Sequence, residues 1–471
     1  MIMDEFLTDI HISVFKEYLK HQHIDGIETK YEILTHYDQI KFTTSFGHAT
    51  VVFNKKNIME LTVINDLQDK PIFYLHFLLK NLSHMLKLYN EMLDVLKSLT
   101  SEPPTRILLT CSGGMTTGYF AEKINEAVEL LNLNMTADAI GYTNVYNVAT
   151  DYDIILVAPQ ISYIRPQLQQ ILPEKLILEI PTKIFAAYDA ASMIRIIAKE
   201  LDRNTVSREE KTVYPINKYL TSKGKILSIV LIREANRSQL IYYLYDENSN
   251  VLSSNRILRK TVSEDDICDI IDTLLLDHPD ILSIGISLPA LFDDDTKIVK
   301  INYFYRDITI NIEKIKQRYK QDIHFDNDMN TAVVGCYVTQ DEYKNIVALY
   351  QPTLYKAGVG IVINGQLVKG LHNVAGEMQY MPLRLSDDVS TLSSTPEGSI
   401  ELVGKEILSL ISTIAPEAVY VFCKLLLDEN ALYNYLRGYV PEKYIPKIII
   451  SEAMIKHCIL GQKLLCQEDM K

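Results

Sequence analysis

No two cysteines in this chain stand at the CxxC spacing of a zinc site, although there are 6, at Cys111, Cys268, Cys336, Cys423, Cys458 and Cys466. Sparse thiols of this kind suit a reducing cytoplasm, where buried cysteines act as small hydrophobes. Positive charge is also short. The formal net charge of −13 argues against generic nucleic-acid binding through the phosphate backbone. The first residues, MIMDEFLTDI, lack the basic start and apolar core of a signal peptide. No run is long and apolar enough to span a membrane. The longest, beginning at Pro71, is interrupted by His76 and Lys80. The expected location is therefore the cytoplasm, with any membrane transporter reached through a partner. Internal repeats and low-complexity tracts are missing too.

At 471 residues the chain is too long for one ordinary core, and two or three domains are expected. Residues 1–103 read as a small α+β domain. Strands are expected over 40–45, 49–53, 58–64 and 71–79, and a helix with an apolar stripe over 81–99. The run 14–28 is long enough for a short helical element. Residues 104–201 alternate strand and helix, which implies a parallel sheet covered on both faces. Strands fall at 106–110, 153–158 and 176–180, with helices at 118–131, 163–171 and 187–201. Residues 202–223 are polar and without period and read as a linker. Residues 224–471 carry strands at 225–232, 239–245 and 281–289, then further strand–helix alternation, with length enough for two lobes.

One loop in the second segment carries chemistry. The strand ending at Thr110 runs into Cys111, Ser112, Gly113, Gly114, Met115, Thr116, Thr117 and Gly118, where a helix opens. A helix N-terminus offers unpaired N–H groups and a positive dipole to an anion. It also lowers a thiol pKa and raises thiolate nucleophilicity. Gly113 and Gly114 let the backbone wrap a phosphate, and Ser112, Thr116 and Thr117 add hydroxyl donors. A cysteine phosphatase would need an arginine in this loop to clamp its transition state. There is none, so the loop is suited to holding a phosphoryl group. The competing reading is a buried cysteine in a glycine-rich turn.

The segment resembles enzyme IIB of the lactose/cellobiose class of the bacterial phosphoenolpyruvate-dependent phosphotransferase system. ILLTCSGGMTT is similar to that family's strand and active loop, ILVAPQISYIRPQL from Ile155 to its second signature, and ILEIPTKIFAAYDAASMIRII to its closing strand, loop and helix. Gly114 and Thr116 depart from the family's usual loop, whereas Met115 and Thr117 keep it. The resemblance implies that Cys111 is a catalytic phosphoacceptor. It would take phosphate from a phosphohistidine on a IIA partner and pass it toward sugar held by a membrane IIC.

In the third segment, Asn327 and Asp328 end a strand. A carboxylate there can take a proton from a sugar hydroxyl. Read alone, the pattern is as well explained by an Asx turn, with Asn330 capping a helix from Thr331. Glu377 follows Ala375-Gly376 downstream, and Asn364-Gly365 is a hairpin signal. Together with GISLPALFD, the blocks FDNDMN and NVAGEMQY resemble the ROK family (repressors, open reading frames and kinases), which has an actin-like two-lobed fold. The resemblance implies sugar binding by Asn327, Asp328 and Glu377, with Asp328 in the catalytic position.

Departures fall on the nucleotide side. The first phosphate loop falls on 234–238, the second on Lys356-Ala357-Gly358, and the adenosine-side glycines on Phe422, Cys423 and Lys424. The family's zinc-ligand histidine falls on Tyr380, and its cysteine cluster is missing. The expectation is an α/β multidomain protein acting as a phosphocarrier or sensor, with a ROK-like domain that binds a sugar or sugar phosphate. No metal is expected, neither ATP nor zinc as cofactor, and no direct nucleic-acid binding. The alternatives are an ATP-dependent sugar kinase using Asp328 and a non-enzymatic sugar-responsive scaffold. A homo-oligomer is compatible with the sequence, which fixes no oligomeric state.

Overall fold

The computed structural model describes residues 2–33, 37–54, 57–66, 70–79, 81–100, 104–131, 133–173, 175–201, 222–233, 238–292, 297–301 and 307–468. The first unit opens on α1 (Ile2–Lys20). Five strands follow: β1 (Glu28–Ile33), β2 (Tyr37–Thr43), β3 (Gly47–Asn54), β4 (Ile58–Asn65) and β5 (Lys70–Leu78). They form an antiparallel meander, β1 to β5 in order. Alternation along β3 and β4 turns Ala49, Val51, Phe53, Leu61 and Val63 inward. Helix α2 (Leu82–Lys97), capped by the Asn81 side chain, buries Met85, Leu88, Tyr89, Met92, Leu93 and Leu96. The expected strands and helix of this unit are present.

Strand β1 was not anticipated, and helix α1 begins well before the short helical element expected within 14–28. Among its described side chains, helix α1 buries Ile12, Phe15 and Leu19. Strand β1 is a polar edge strand, ETKYEI, whose alternation carries little hydrophobic contrast.

The second unit comprises β6 (Thr105–Cys111), α3 (Met115–Leu130), β7 (Met135–Gly141), α4 (Val145–Val148), β8 (Ile154–Val157), α5 (Arg165–Ile171), β9 (Leu176–Glu179), α6 (Thr182–Ala187) and α7 (Ala190–Leu201). Its four strands are all parallel, in the order β7-β6-β8-β9. Helices α3 and α7 cover one face through Phe120, Ile124, Ile194 and Ile197. Of the expected 163–171 helix only Tyr163 and Ile164 fall in a tighter turn, and α5 proper starts beside Pro166. Strand β7 was also not anticipated, because in MTADAIG at the sheet edge only Ala137 is buried and the apolar pattern is weak.

The third unit begins with β10 (Lys225–Arg233), β11 (Ser238–Tyr245), β12 (Val251–Arg259), α8 (Glu264–Asp277) and β13 (Ile281–Leu288). Next come β14 (Ile298–Ile301), β15 (Ile308–Asn311), α9 (Ile312–Arg318), β16 (Asp322–Asn327) and α10 (Asp328–Val338). A second lobe follows with β17 (Ile346–Tyr350), β18 (Gly358–Ile363), β19 (Gln366–Leu367), α11 (Val389–Leu392), α12 (Pro396–Thr413), β20 (Ala418–Phe422), α13 (Glu429–Arg437) and β21 (Lys447–Ile450). The last helix is α14 (Met454–Glu468). Helices α10 and α14 meet backbone to backbone at the junction of the lobes. A Cβ on Gly461 would stand 1.8 Å from the Thr331 carbonyl oxygen, and one on Gly335 would stand 2.0 Å from that of His457. Apart from 222 and 223, the expected linker of 202–223 lies outside the described residues.

The units do not keep separate cores. Strand β5 pairs antiparallel with β12 at Tyr74 and Leu258, so the meander continues the first lobe's sheet in the order β1-β2-β3-β4-β5-β12-β11-β10-β13-β16. One hydrophobic core runs through both. Arg259 clamps the joint, its guanidinium paired with Glu91 of α2 and with Asp266 of α8. The second unit shares its core with the other lobe: Val145, Ile164 and Leu168 join one cluster with Val403, Val421 and Leu425. Asp266 is buried, so removing Arg259 strands a carboxylate. Arg259→Ala is expected to cost about 3–5 kcal/mol in equilibrium urea unfolding. A loss below about 1 kcal/mol would place the pair among weak surface contacts.

Candidate functional site

Strand β6 ends at Cys111, opposite Gly141 of β7. The sulfur is buried, at 2% exposure, under a loop whose other members are largely open. The Gly114 N–H donates to it at 3.1 Å, and the Thr117 hydroxyl lies 3.1 Å away. That hydroxyl can instead donate to the Gly114 carbonyl at 3.1 Å. It carries one proton, so it turns to the sulfur when the thiol ionises. Burial pushes the thiol up; the Thr117 hydroxyl and the N–H groups of Thr117, Gly113 and Gly114 outweigh it, and the net shift is downward.

Gly114 caps α3 in the left-handed region, at φ 82°, and a Cβ there would come within 3.2 Å of the Gly141 nitrogen. This position needs glycine. Gly113 differs from expectation: a Cβ on it would meet nothing within 4 Å, so it borders open space rather than packing. Ser112 and Thr116 are exposed at the rim, Gly118 is partly buried, and Met115 is 86% exposed. Tyr119, one turn along α3, stacks edge-on against Tyr188 at 4.9 Å.

The second cluster lies between the lobes. The helix cap is Asn327, not Asn330. Its Oδ1 accepts from the N–H groups of Met329 and Asn330, and its Nδ2 donates to the Ala290 carbonyl at 3.0 Å. Asp328 is the first residue of α10. Burial raises its carboxyl to about 7; the Arg233 guanidinium and the Met329 N–H pull it down, and Glu377 pushes it up. Glu377 is itself raised by burial and accepts from Gln379 Nε2 at 3.0 Å. Its backbone bridges Gly358. Asp328 and Glu377 therefore lie near enough to act on each other, while Asn327, next to Asp328, has its amide committed to the fold.

Arg233, which sequence reasoning missed, ends β10 and lies over the Tyr355 ring at 4.3 Å. The available signal was a lone cation closing an apolar strand. Of the expected first phosphate loop, 234–237 lie outside the described residues and Ser238 is buried. In the second, Lys356 Nζ donates to the Gln379 carbonyl at 3.0 Å. Phe422 and Cys423 are buried, while Lys424 and Tyr380 are exposed. Among the described residues, no group of three or more His, Cys, Asp or Glu could hold a metal. Among them, too, no helix is long and apolar enough to cross a membrane.

Comparison with known proteins matches two segments of the chain to families. The family model "PTS system, Lactose/Cellobiose specific IIB subunit" matches residues 106–216, and the ROK family model matches 237–400. The chain carries a lactose/cellobiose-type IIB domain and a ROK-family domain. Over 147 residues it is 28% identical to a xylose repressor of Bacillus subtilis, covering 29% of this chain and 38% of that protein. Over 69 residues it is 32% identical to a lactose-specific EIICB component of Staphylococcus aureus, covering 15% of this chain and 12% of that protein. The chain thus spans well under half the length of these curated relatives. A solved ROK family protein from Streptococcus pneumoniae aligns over 52% of this chain and 99% of its own, with 14% identity and a TM-score of 0.43.

Asp328 gives the ROK domain a measurable pH dependence. Its carboxyl lies at about 7 in the fold against 3.8 when free. Ionising it in place costs stability, so this contribution is intact below about pH 4 and lost as pH rises through about 7. Asp328→Asn is expected to be near neutral at pH 4.5. At pH 8 it should stabilise by about 2–4 kcal/mol, at 1.36 kcal/mol per pKa unit. Equal urea midpoints for wild type and variant at both pH values would contradict the burial of this carboxyl.

Proposed function

We propose that the chain is a cytoplasmic phosphocarrier and sensor of carbohydrate uptake, phosphorylated on Cys111. The observation that carries this is the buried sulfur, met by N–H and hydroxyl donors at the start of α3, inside the residues matched by the IIB family. The Cys111 thiolate attacks the phosphorus of a phosphohistidine on a IIA-type partner. The S–P bond forms and the P–N bond breaks. The electron pair returns to the imidazole nitrogen, which takes up a proton. The loop N–H groups and the hydroxyls of Ser112, Thr116 and Thr117 then hold the phosphoryl oxygens. With no arginine in the loop to drive hydrolysis, the group waits for a second acceptor: sugar in a membrane IIC, or none when the role is sensing.

The ROK domain, in this reading, binds a sugar or sugar phosphate at Asp328 and Glu377 without efficient ATP-dependent phosphorylation. Support comes from Lys356, whose amine is tied to Gln379 where the family pattern has a small phosphate-binding loop. Asn327 offers less to a ligand than its family position implies, because both ends of its amide serve the fold. A kinase reading draws on one observation, an Asp328 carboxyl held near 7, which suits proton abstraction from a hydroxyl.

Incubation with phosphoenolpyruvate, the general phosphotransferase proteins and a lactose/cellobiose-class IIA tests the carrier directly. One thiol-linked phosphate per chain, absent in Cys111→Ser, is the expected result by intact mass. No label on any residue would remove the carrier reading. ADP release with a hexose, lost in Asp328→Asn, would replace the sensor role of the ROK domain with catalysis.

A further inference from the structure

An unbroken run of contacts joins the phosphate loop of the IIB domain to the sugar site of the ROK domain. At one end, Gly114 bonds the Cys111 sulfur and lies against Gly141. The chain leaves Gly141 through a turn at Tyr142–Asn144 directly into α4. From α4, Asn147 Nδ2 crosses the domain boundary to Ser394 Oγ at 2.8 Å. Ser393, buried beside it, accepts the Leu354 N–H at 2.9 Å. Leu354 begins the turn that carries Tyr355 beneath Arg233, and the charge of Arg233 acts on Asp328.

Two of these links are poised to change state. Leu354 sits at φ 69°, a left-handed conformation that side chains other than glycine rarely adopt. Its N–H bond to Ser393 helps to hold it there. Asn147 is half satisfied: its Nδ2 is bonded, while its buried Oδ1 meets no partner among the described residues. A displacement of α4 gives up the Asn147–Ser394 bond and carries Val145 and Tyr146 with it within the shared core, so α4 moves as a packed unit. Coupling between distant sites requires such a bistable element rather than mere continuity.

We infer that phosphorylation of Cys111 is read at the sugar site through α4 and the 352–356 turn. This rests on the phosphoacceptor reading above. A phosphoryl group draws the loop N–H groups outward and sets a dianion beside Gly141, which borders the loop with Thr143 next to it. Movement of that border carries α4, loosens Asn147 from Ser394 and lets Leu354 relax. Tyr355 then shifts from beneath Arg233, and the charge facing Asp328 changes with it.

Hydrogen exchange of the full chain before and after the phosphorelay, read by mass spectrometry on peptides spanning 351–358, tests this. Exchange there is expected to change by about fivefold or more on phosphorylation, the lower end of typical allosteric couplings. Asn147→Ala should accept phosphate normally yet lose the response. Ser393→Ala, remote from Cys111, should lose it as well. Full phosphorylation with unchanged exchange at 351–358 overturns the inference and leaves the phosphoacceptor intact. A response that persists in both variants overturns this route. An unphosphorylated mass removes the phosphoacceptor reading and the inference together.

Discussion

The pairing of β5 with β12 decides how the rest of the molecule is arranged. It converts a meander and the first ROK lobe into one sheet with one core, locked by Arg259 between Glu91 and Asp266. The chain leaves this body after α2 and returns to it at β10. Between the two, the IIB domain is attached by its ends to one lobe while its α4 and α5 face packs on the other. A domain held covalently at one lobe and by contact at the other is placed to respond to their relative position, and to influence it. Fusion of two separately folded modules would give no such geometry.

Much of this was legible residue by residue. The loop from Cys111 to Gly118 announced itself because strand, glycines and hydroxyls occur in the order an anion site requires, and its local physics does not depend on distant contacts. Asn327, Asp328 and Glu377 could be named from short blocks only through their family resemblance, since read alone the Asn327 pattern fits an Asx turn as well. Strands β1 and β7 were missed where burial is one-sided, and only the end of α1 fell within the expected helical run, since hydrophobic periodicity reports only what a core enforces. Arg233 was invisible because its meaning lies in Tyr355 and Asp328, more than 90 residues downstream, brought near by packing of the lobes. The continuous sheet was illegible for a related reason: a single register contact, Tyr74 to Leu258, leaves no sequence signature across an intervening domain.

Burial acts with opposite outcomes at the two sites. At Asp328 it dominates, and a carboxyl that would ordinarily be charged is held near neutrality. At Cys111 it is overcome by three backbone N–H groups and one hydroxyl directed at the sulfur. The same penalty thus leaves a proton-holding acid in one domain and, in the other, a thiol whose pKa is lowered despite it. The difference is the supply of donors, which the start of α3 provides and the start of α10 has largely committed to its own cap, Asn327.

The claim on which the functional reading stands is that this loop makes Cys111 a ready thiolate. The direct measurement is the rate of its alkylation by iodoacetamide against pH, followed on the Cys111 peptide while the other five cysteines, all buried, serve as internal controls. An apparent pKa clearly below the free-thiol value of about 8.5 is expected. A midpoint at or above that value, or reactivity no greater than that of the buried five, would contradict it.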